Sequence, residues 1–224
     1  MLSIRHEYPS VLSGARRLYG GDQMLSSDKT VRSCGCGIVA ALNLLIYLCR
    51  YHGCRADRLD ALVRSDPIPL PEYDRCVLYL KRNYFPLIPQ HGINGLLLAA
   101  GLNRLLRRWN MPYRAQWGVP HARLWSSIER MLSQDLPVIL SIGPNFPLFW
   151  QHNQLRLYRR TAEGSYKPAG KTSSHYVSVT GIDDEWLRVS SWGLEFFISR
   201  SEYEQYVKAH SARLISNIMR LERT

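Results

Sequence analysis

The sequence predicts an α+β fold in one domain: helical periodicity fills the first half, and β-type alternation with turn residues fills the second. Apolar residues make up 46% of the 224 and charged residues 21%, a composition that buries a full core rather than one that stays disordered. No repeat interrupts the chain. Residues 1–22 read as an N-terminal arm or short strand ending at the Gly20-Gly21 turn, with the domain proper over 23–224.

Taken in order, residues 24–33 are polar and read as a loop. From Gly37 to about Tyr51, Ile38, Val39, Leu42, Leu45, Ile46 and Cys49 recur at helical spacing, and His52-Gly53 stops the run. Shorter helices are expected over 56–67 and 72–84, the first ended by the Pro67–Pro71 segment. A longer one is expected over Gly92–Trp109, with a leucine on nearly every turn. Beyond it, Tyr113–Gly118 reads as a strand, His121–Ser133 as an amphipathic helix and Leu136–Ile142 as a buried strand. Residues 154–160 and 165–167 suggest a hairpin. His175–Thr180, Trp186–Ser190 and Glu195–Ile198 are further strands, punctuated by the Gly181–Asp184 turn. A helix over 201–208 and a strand over 214–219 close the chain.

The five cysteines (34, 36, 49, 54 and 76) are odd in number, and the first twenty residues lack the apolar core of a secretory signal. Both point to reduced thiols and a cytoplasmic setting. The longest apolar run, Ile38–Cys49, is too short to span a bilayer. A net charge of +11 accompanies arginine clusters at 16–17, 104/107/108, 156/159/160 and 213/220/223. That balance is compatible with a solubilising surface or with an anionic partner, and no recognised nucleic-acid-binding motif goes with it.

The stretch Ser33-Cys-Gly-Cys-Gly-Ile-Val-Ala-Ala puts a cysteine where an apolar helix begins. Unpaired backbone N–H groups there, carrying about half a positive charge, favour a thiolate and can later hold an oxyanion. A zinc site combining Cys34 and Cys36 with Cys49, His52 and Cys54 fails on length, since the helix between the two groups spans roughly 20 Å. The second informative stretch is Ser173-Ser-His-Tyr-Val-Ser-Val-Thr-Gly181, a histidine opening a strand that ends in a glycine turn. A cysteine nucleophile needs such a histidine from elsewhere in the chain.

Cys36-Gly37, the strand Leu136-Pro-Val-Ile-Leu-Ser-Ile142 and His175-Tyr-Val-Ser-Val-Thr-Gly181 occur in an order that resembles the papain-like cysteine peptidases. The likeness is strongest to their bacterial branch related to bacteriocin-processing, C39-like peptidases. The resemblance covers roughly residues 20–210. It implies a papain-like fold, a thiol nucleophile at Cys36, a general base at His175, peptide or protein substrates and no metal or organic cofactor.

It also implies an orienting Asn or Asp in an Asn-Ser-Trp-Gly tetrapeptide. Here the tetrapeptide is Ser190-Ser191-Trp192-Gly193, so Ser190 falls at the orienting position and Trp192 at the shielding one. A hydroxyl accepts a hydrogen bond from imidazole but does not stabilise imidazolium as a carboxylate would. The family's oxyanion glutamine is expected about six residues before the nucleophile. The only nearby one is Gln23, thirteen before Cys36, which fits if 24–33 is an insertion. Small residues four and five positions after the nucleophile favour Cys36, followed by Ala40 and Ala41, over Cys34, followed by Ile38 and Val39. Cys34 stays open as the alternative nucleophile. The departures at 190 and 23 leave a second function open as well, a papain-like binding module for a protein or anionic partner.

Overall fold

The computed structural model describes residues 1–224. Seven helices and a nine-stranded antiparallel sheet share one core of 59 apolar side chains, so the α+β class stands. No helix is long and apolar enough to cross a membrane.

The N-terminal residues form three strands: β1 (Leu2–Ser3), β2 (Ser10–Ser13) and β3 (Arg16–Tyr19). The sequence leaves this stretch as an arm, because these strands are two to four residues long and carry too few alternations to show a period. β2 and β3 pair with each other, while β1 is held by a partner far along the chain. β1 pairs with the sheet at Gly181 and Ile182, and Ile4, Tyr8, Val11 and Leu18 are buried in the common core.

Residues 24–33 are not the expected loop. A 3-10 turn over Gln23–Leu25 leads into α1 (Lys29–Cys34), whose N-terminus is capped by Asp28 accepting from the Val31 N–H at 2.9 Å. Ser27-Asp28 was the signal for that start. Gly35 closes α1 and opens α2 (Cys36–Tyr51) with no side-chain cap. A Cβ at position 35 would lie 2.6–2.9 Å from Val31, so only glycine permits two helices to meet there without a loop.

Gly37 to Leu48 of α2 are all buried. A helix that is apolar all round belongs in the middle of a fold. The shorter α3 (Asp60–Arg64), α4 (Leu70–Asn83, preceded by β4, Ile68–Pro69) and α5 (Gly95–Arg108) surround it on the helical side. Asn94 caps α5 by accepting from the Leu97 N–H at 2.9 Å.

The second half supplies β5 (Tyr113–Trp117), α6 (Leu124–Ser133), β6 (Val138–Ile142), β7 (Leu155–Arg160) and β8 (Tyr166–Thr172). After these come β9 (His175–Ile182), β10 (Trp186–Ser191), β11 (Leu194–Ser199), α7 (Arg200–His210) and β12 (Ile218–Arg223). Their spatial order is β5-β12-β6-β9-β10-β11-β7-β8, with β1 beside the far end of β9. α2 packs across β9, and β9 is buried on both faces apart from Tyr176. That crossing decides where the candidate site lies. The start of α2 meets the start of β9, so Cys36 and His175 come to one end of the central strand.

Candidate active site

Twelve residues enclose a small cavity at this end, among them Gly21, Gln23, Cys36, Asn43, His175, Tyr176, Ser190, Ser191 and Trp192. Its free room is about 10 Å³, enough for about one water. Cys36, His175, Gln23 and Ser190 are therefore brought together. Cys34 is not. Its thiol, at the last residue of α1, donates back to the Thr30 carbonyl at 3.2 Å and faces the Ile88 carbonyl at 3.8 Å. The glycine between them turns the two cysteines to different surroundings, and the helix that begins at residue 36 carries its thiol into the cavity.

The Cys36 thiol is pushed up from 9.0 to about 11, first by burial. The backbone N–H groups of Tyr176, Gly37 and Cys36 itself act against that shift without cancelling it. Cys36 is half-buried and lines the cavity. His175 is only 6% exposed, and burial alone takes it from 6.5 down to about 4. Near neutral pH the closed pocket thus holds a thiol and a neutral imidazole. Desolvation opposes both charged forms, and it outweighs the helix terminus.

The ring of His175 is fixed on two sides. Trp192 stacks on it with centroids 4.5 Å apart and planes 19° from parallel. Its Nε2 lies 2.8 Å from the Ser191 hydroxyl, which leaves Nδ1 as the ring nitrogen free of that bond. The serine at the ring is accordingly Ser191, not Ser190 as the tetrapeptide comparison implied. Ser190 instead donates to the Tyr19 carbonyl at 2.6 Å. The physical reason is strand alternation: neighbouring residues of β10 point to opposite sides, so only one of the two serines can face the imidazole. Trp192 itself has a φ of +46°, left-handed for a bulky residue, in the tight turn from β10 to β11. The Gly193 carbonyl accepts from Tyr19 N–H at 2.8 Å, and the Gly193 N–H donates to Gly21 at 3.2 Å, tying that turn to the N-terminal strands.

Gln23 reaches the cavity because α1 occupies the chain between it and the cysteine. Its Nε2 donates to the Arg32 carbonyl at 3.1 Å, and an amide carries a second N–H. Two wall residues went unread in the sequence. Asn43 sits seven residues, two helical turns, after Cys36 on the same face of α2. It accepts from Tyr73 OH at 2.7 Å and from Gly21 N–H at 3.3 Å. The signal is present as the one amide in the apolar run Ile38–Cys49. Tyr176 donates to the Ile93 carbonyl at 3.0 Å, and its ring edge limits position 37 to a small residue. At Gly20 a φ of +80° and a Ser190 hydroxyl 2.6 Å from where a Cβ would stand both demand glycine.

No protein-family model matches the chain. No curated protein matches it either. Among solved structures it is similar to one described as "putative C39-like peptidase from Bacillus anthracis", at 13% identity and a TM-score of 0.46 over 91% of this chain and 94% of that one. A likeness at that level says nothing about which residues react.

Proposed function

We propose that the protein is a cysteine hydrolase of papain-like type, a peptidase or a related acyl-transfer enzyme, with Cys36 as nucleophile and His175 as general base and then acid. The observation that carries this reading is the enclosure of both side chains in one cavity at the uncapped start of a buried helix. Few arrangements outside acyl transfer have a use for a cysteine ringed by backbone N–H groups at a helix start together with an oriented histidine.

The proposed reaction begins when a substrate carbonyl displaces the wall of the pocket. The Cys36 proton passes to His175 as sulfur attacks the carbonyl carbon. The oxyanion is held by N–H groups at the start of α2, with the second Gln23 N–H as a further donor. Collapse breaks the bond to the leaving amine, which takes the proton from His175. Water, deprotonated by the same ring, then releases the acyl group from sulfur and restores the thiol. Ser191 and Trp192 orient the ring throughout. No step calls for a metal or an organic cofactor. Because a serine stabilises imidazolium less than a carboxylate, proton transfer is coupled to attack rather than completed in advance.

Hydrolysis of a quenched-fluorescence peptide library tests the assignment. Cys36→Ala is expected to remove turnover by at least about a thousandfold, and Cys34→Ala to leave it within a few-fold. Turnover that survives Cys36→Ala overturns the reading. The second reading, a binding module on the same scaffold, is favoured by the room for only about one water and by the neutral pair. It predicts no turnover of any library member by the wild-type chain.

A further inference from the structure

All three exposed Phe and Trp side chains of the molecule lie in one loop. Phe146, Phe149 and Trp150, the last two 65% and 71% exposed, occur with Pro147 and an exposed Leu148 between β6 and β7. The remaining Trp and Phe residues are buried or half-buried. The loop is built rather than frayed. Asn145 and Asn153 clasp its base through three hydrogen bonds of 3.1–3.2 Å. The rings of Phe146 and Phe149 meet edge to face at 5.5 Å, and Phe146 N–H donates to the His210 carbonyl at 3.0 Å. An apolar tip held out to solvent by a polar clasp has no partner within the chain.

Its surroundings are cationic. The hairpin that follows carries Arg156, Arg159, Arg160, Lys167 and Lys171 against one carboxylate, Glu163. Cross-strand register sets Arg156 directly opposite Lys171 and Arg159 opposite Lys167, like charges that repel in the isolated molecule. Glu202, 3.6 Å from Arg156, relieves one of these pairs. On the other side, where the His210 contact is made, Lys208 and Arg213 are exposed with no ion-pair partner. Lysine on an edge strand such as β8 is explained by avoidance of strand pairing. That does not explain the opposing arginines or the aromatic tip.

We propose that this loop and its basic surround form a docking surface for an anionic membrane, with Phe149 and Trp150 seated at the interface and the lysines and arginines against acidic headgroups. The amphipathic indole of Trp150 suits the headgroup boundary and the apolar ring of Phe149 the acyl side of it, and nearby cations strengthen attachment only where the lipid is acidic. β6 ends at Ile142 directly opposite His175 in the ladder, so the loop leaves the sheet at the end that holds the cysteine cavity. Docking would turn that cavity toward the bilayer. The inference rests on surface chemistry and does not require turnover by Cys36.

Vesicle co-sedimentation of the full chain tests it, using phosphatidylcholine alone against equal parts phosphatidylcholine and phosphatidylglycerol at physiological ionic strength. The expected result is binding at least about tenfold tighter to the acidic vesicles. Phe149→Ser/Trp150→Ser is expected to weaken that binding about tenfold, and Lys167→Gln/Lys171→Gln by several-fold, with unchanged far-UV circular dichroism. The wild-type emission, less that of Trp150→Phe, should shift to the blue on acidic vesicles only. Cys36→Ala should bind as the wild type does, which separates this result from the fate of the enzymatic reading. Equal binding to both vesicle types, full binding by the tip variant, or a solution dimer that the tip variant dissociates would each overturn the proposal.

Discussion

Alkylation of Cys36 as a function of pH gives the sharpest measure of the pocket. A thiol titrating near 11 carries about one thiolate in 3,000 at pH 7.5, against about one in 30 at the ordinary value of 9.0. That is a hundredfold deficit in the reacting species. A more basic thiolate is a better nucleophile, which returns about six- to tenfold over a two-unit change in pKa. The net expectation is that Cys36 reacts about ten times more slowly than a free thiol at pH 7.5, before the narrow entrance is counted. Its rate should climb about tenfold per pH unit until close to pH 11. The assay is limiting iodoacetamide in a Cys34→Ala background, with the label located by peptide mass mapping from pH 5.5 to 10. A preformed thiolate–imidazolium pair behaves differently, since it keeps most of its reactivity at pH 5.5. A rate at pH 5.5 within about threefold of that at 8.5 would refute the desolvation argument. It would mean that the partly exposed edge of Cys36 and the three N–H groups around it govern the thiol instead.

The remaining expectations concern the supports of the site. His175 is neutral in the fold down to about pH 4 but takes a proton near 6.5 when unfolded, so the unfolded state binds more protons between those values and stability must fall as pH drops through that window. The loss amounts to about 3 kcal/mol, and urea midpoints of His175→Gln should show a correspondingly shallower slope between pH 6.5 and 4. Ser191→Ala removes the bond to Nε2 and should slow turnover about five- to tenfold, the worth of one neutral hydrogen bond. Ser190→Ala should act on stability alone, and equal kinetic effects from the two would contradict the assigned geometry. Asp135, buried at a φ of +63°, accepts from Arg5 N–H and Tyr47 OH at 2.6 Å and lies 2.5 Å from His6 Nδ1. Although burial opposes its charge, Tyr47, Arg5 and His6 together hold it below the usual carboxylate range. Its stabilisation is thus present above about pH 4 and lost as the solution is acidified below it. Asp135→Ala leaves those donors unpaired and should cost about 3–5 kcal/mol in urea unfolding at pH 7, with the loss shrinking as the pH is lowered below about 4.

Long, strongly periodic segments were readable from the chain. The apolar spacing from Ile38 to Cys49 lies inside α2, and the β-branched run from His175 opens β9. With those two the ends of the cavity could be named, because helix starts and strand starts leave local marks. What the sequence concealed was set by contacts distant along the chain. β1 exists through pairing with residues about 180 positions away, and two- to four-residue strands have no period of their own. Whether Ser190 or Ser191 faces the ring depends on which side of β10 meets the helix, and one residue of register reverses it. α1 is hidden for a different reason, since a six-residue helix carries too little pattern to outweigh its polarity, although Asp28 marks its start.

The tight enclosure around Cys36 has a consequence for the protein's lifetime in air. Peroxide oxidation follows thiolate character and access, the two properties the closed pocket withholds. A protein stored in this state should keep Cys36 as an intact thiol, since burial holds its thiolate population low. Sulfenic acid at Cys36 would then report time spent open, so that a sulfenate-trapping probe added with peroxide becomes a clock for the opening of the cavity.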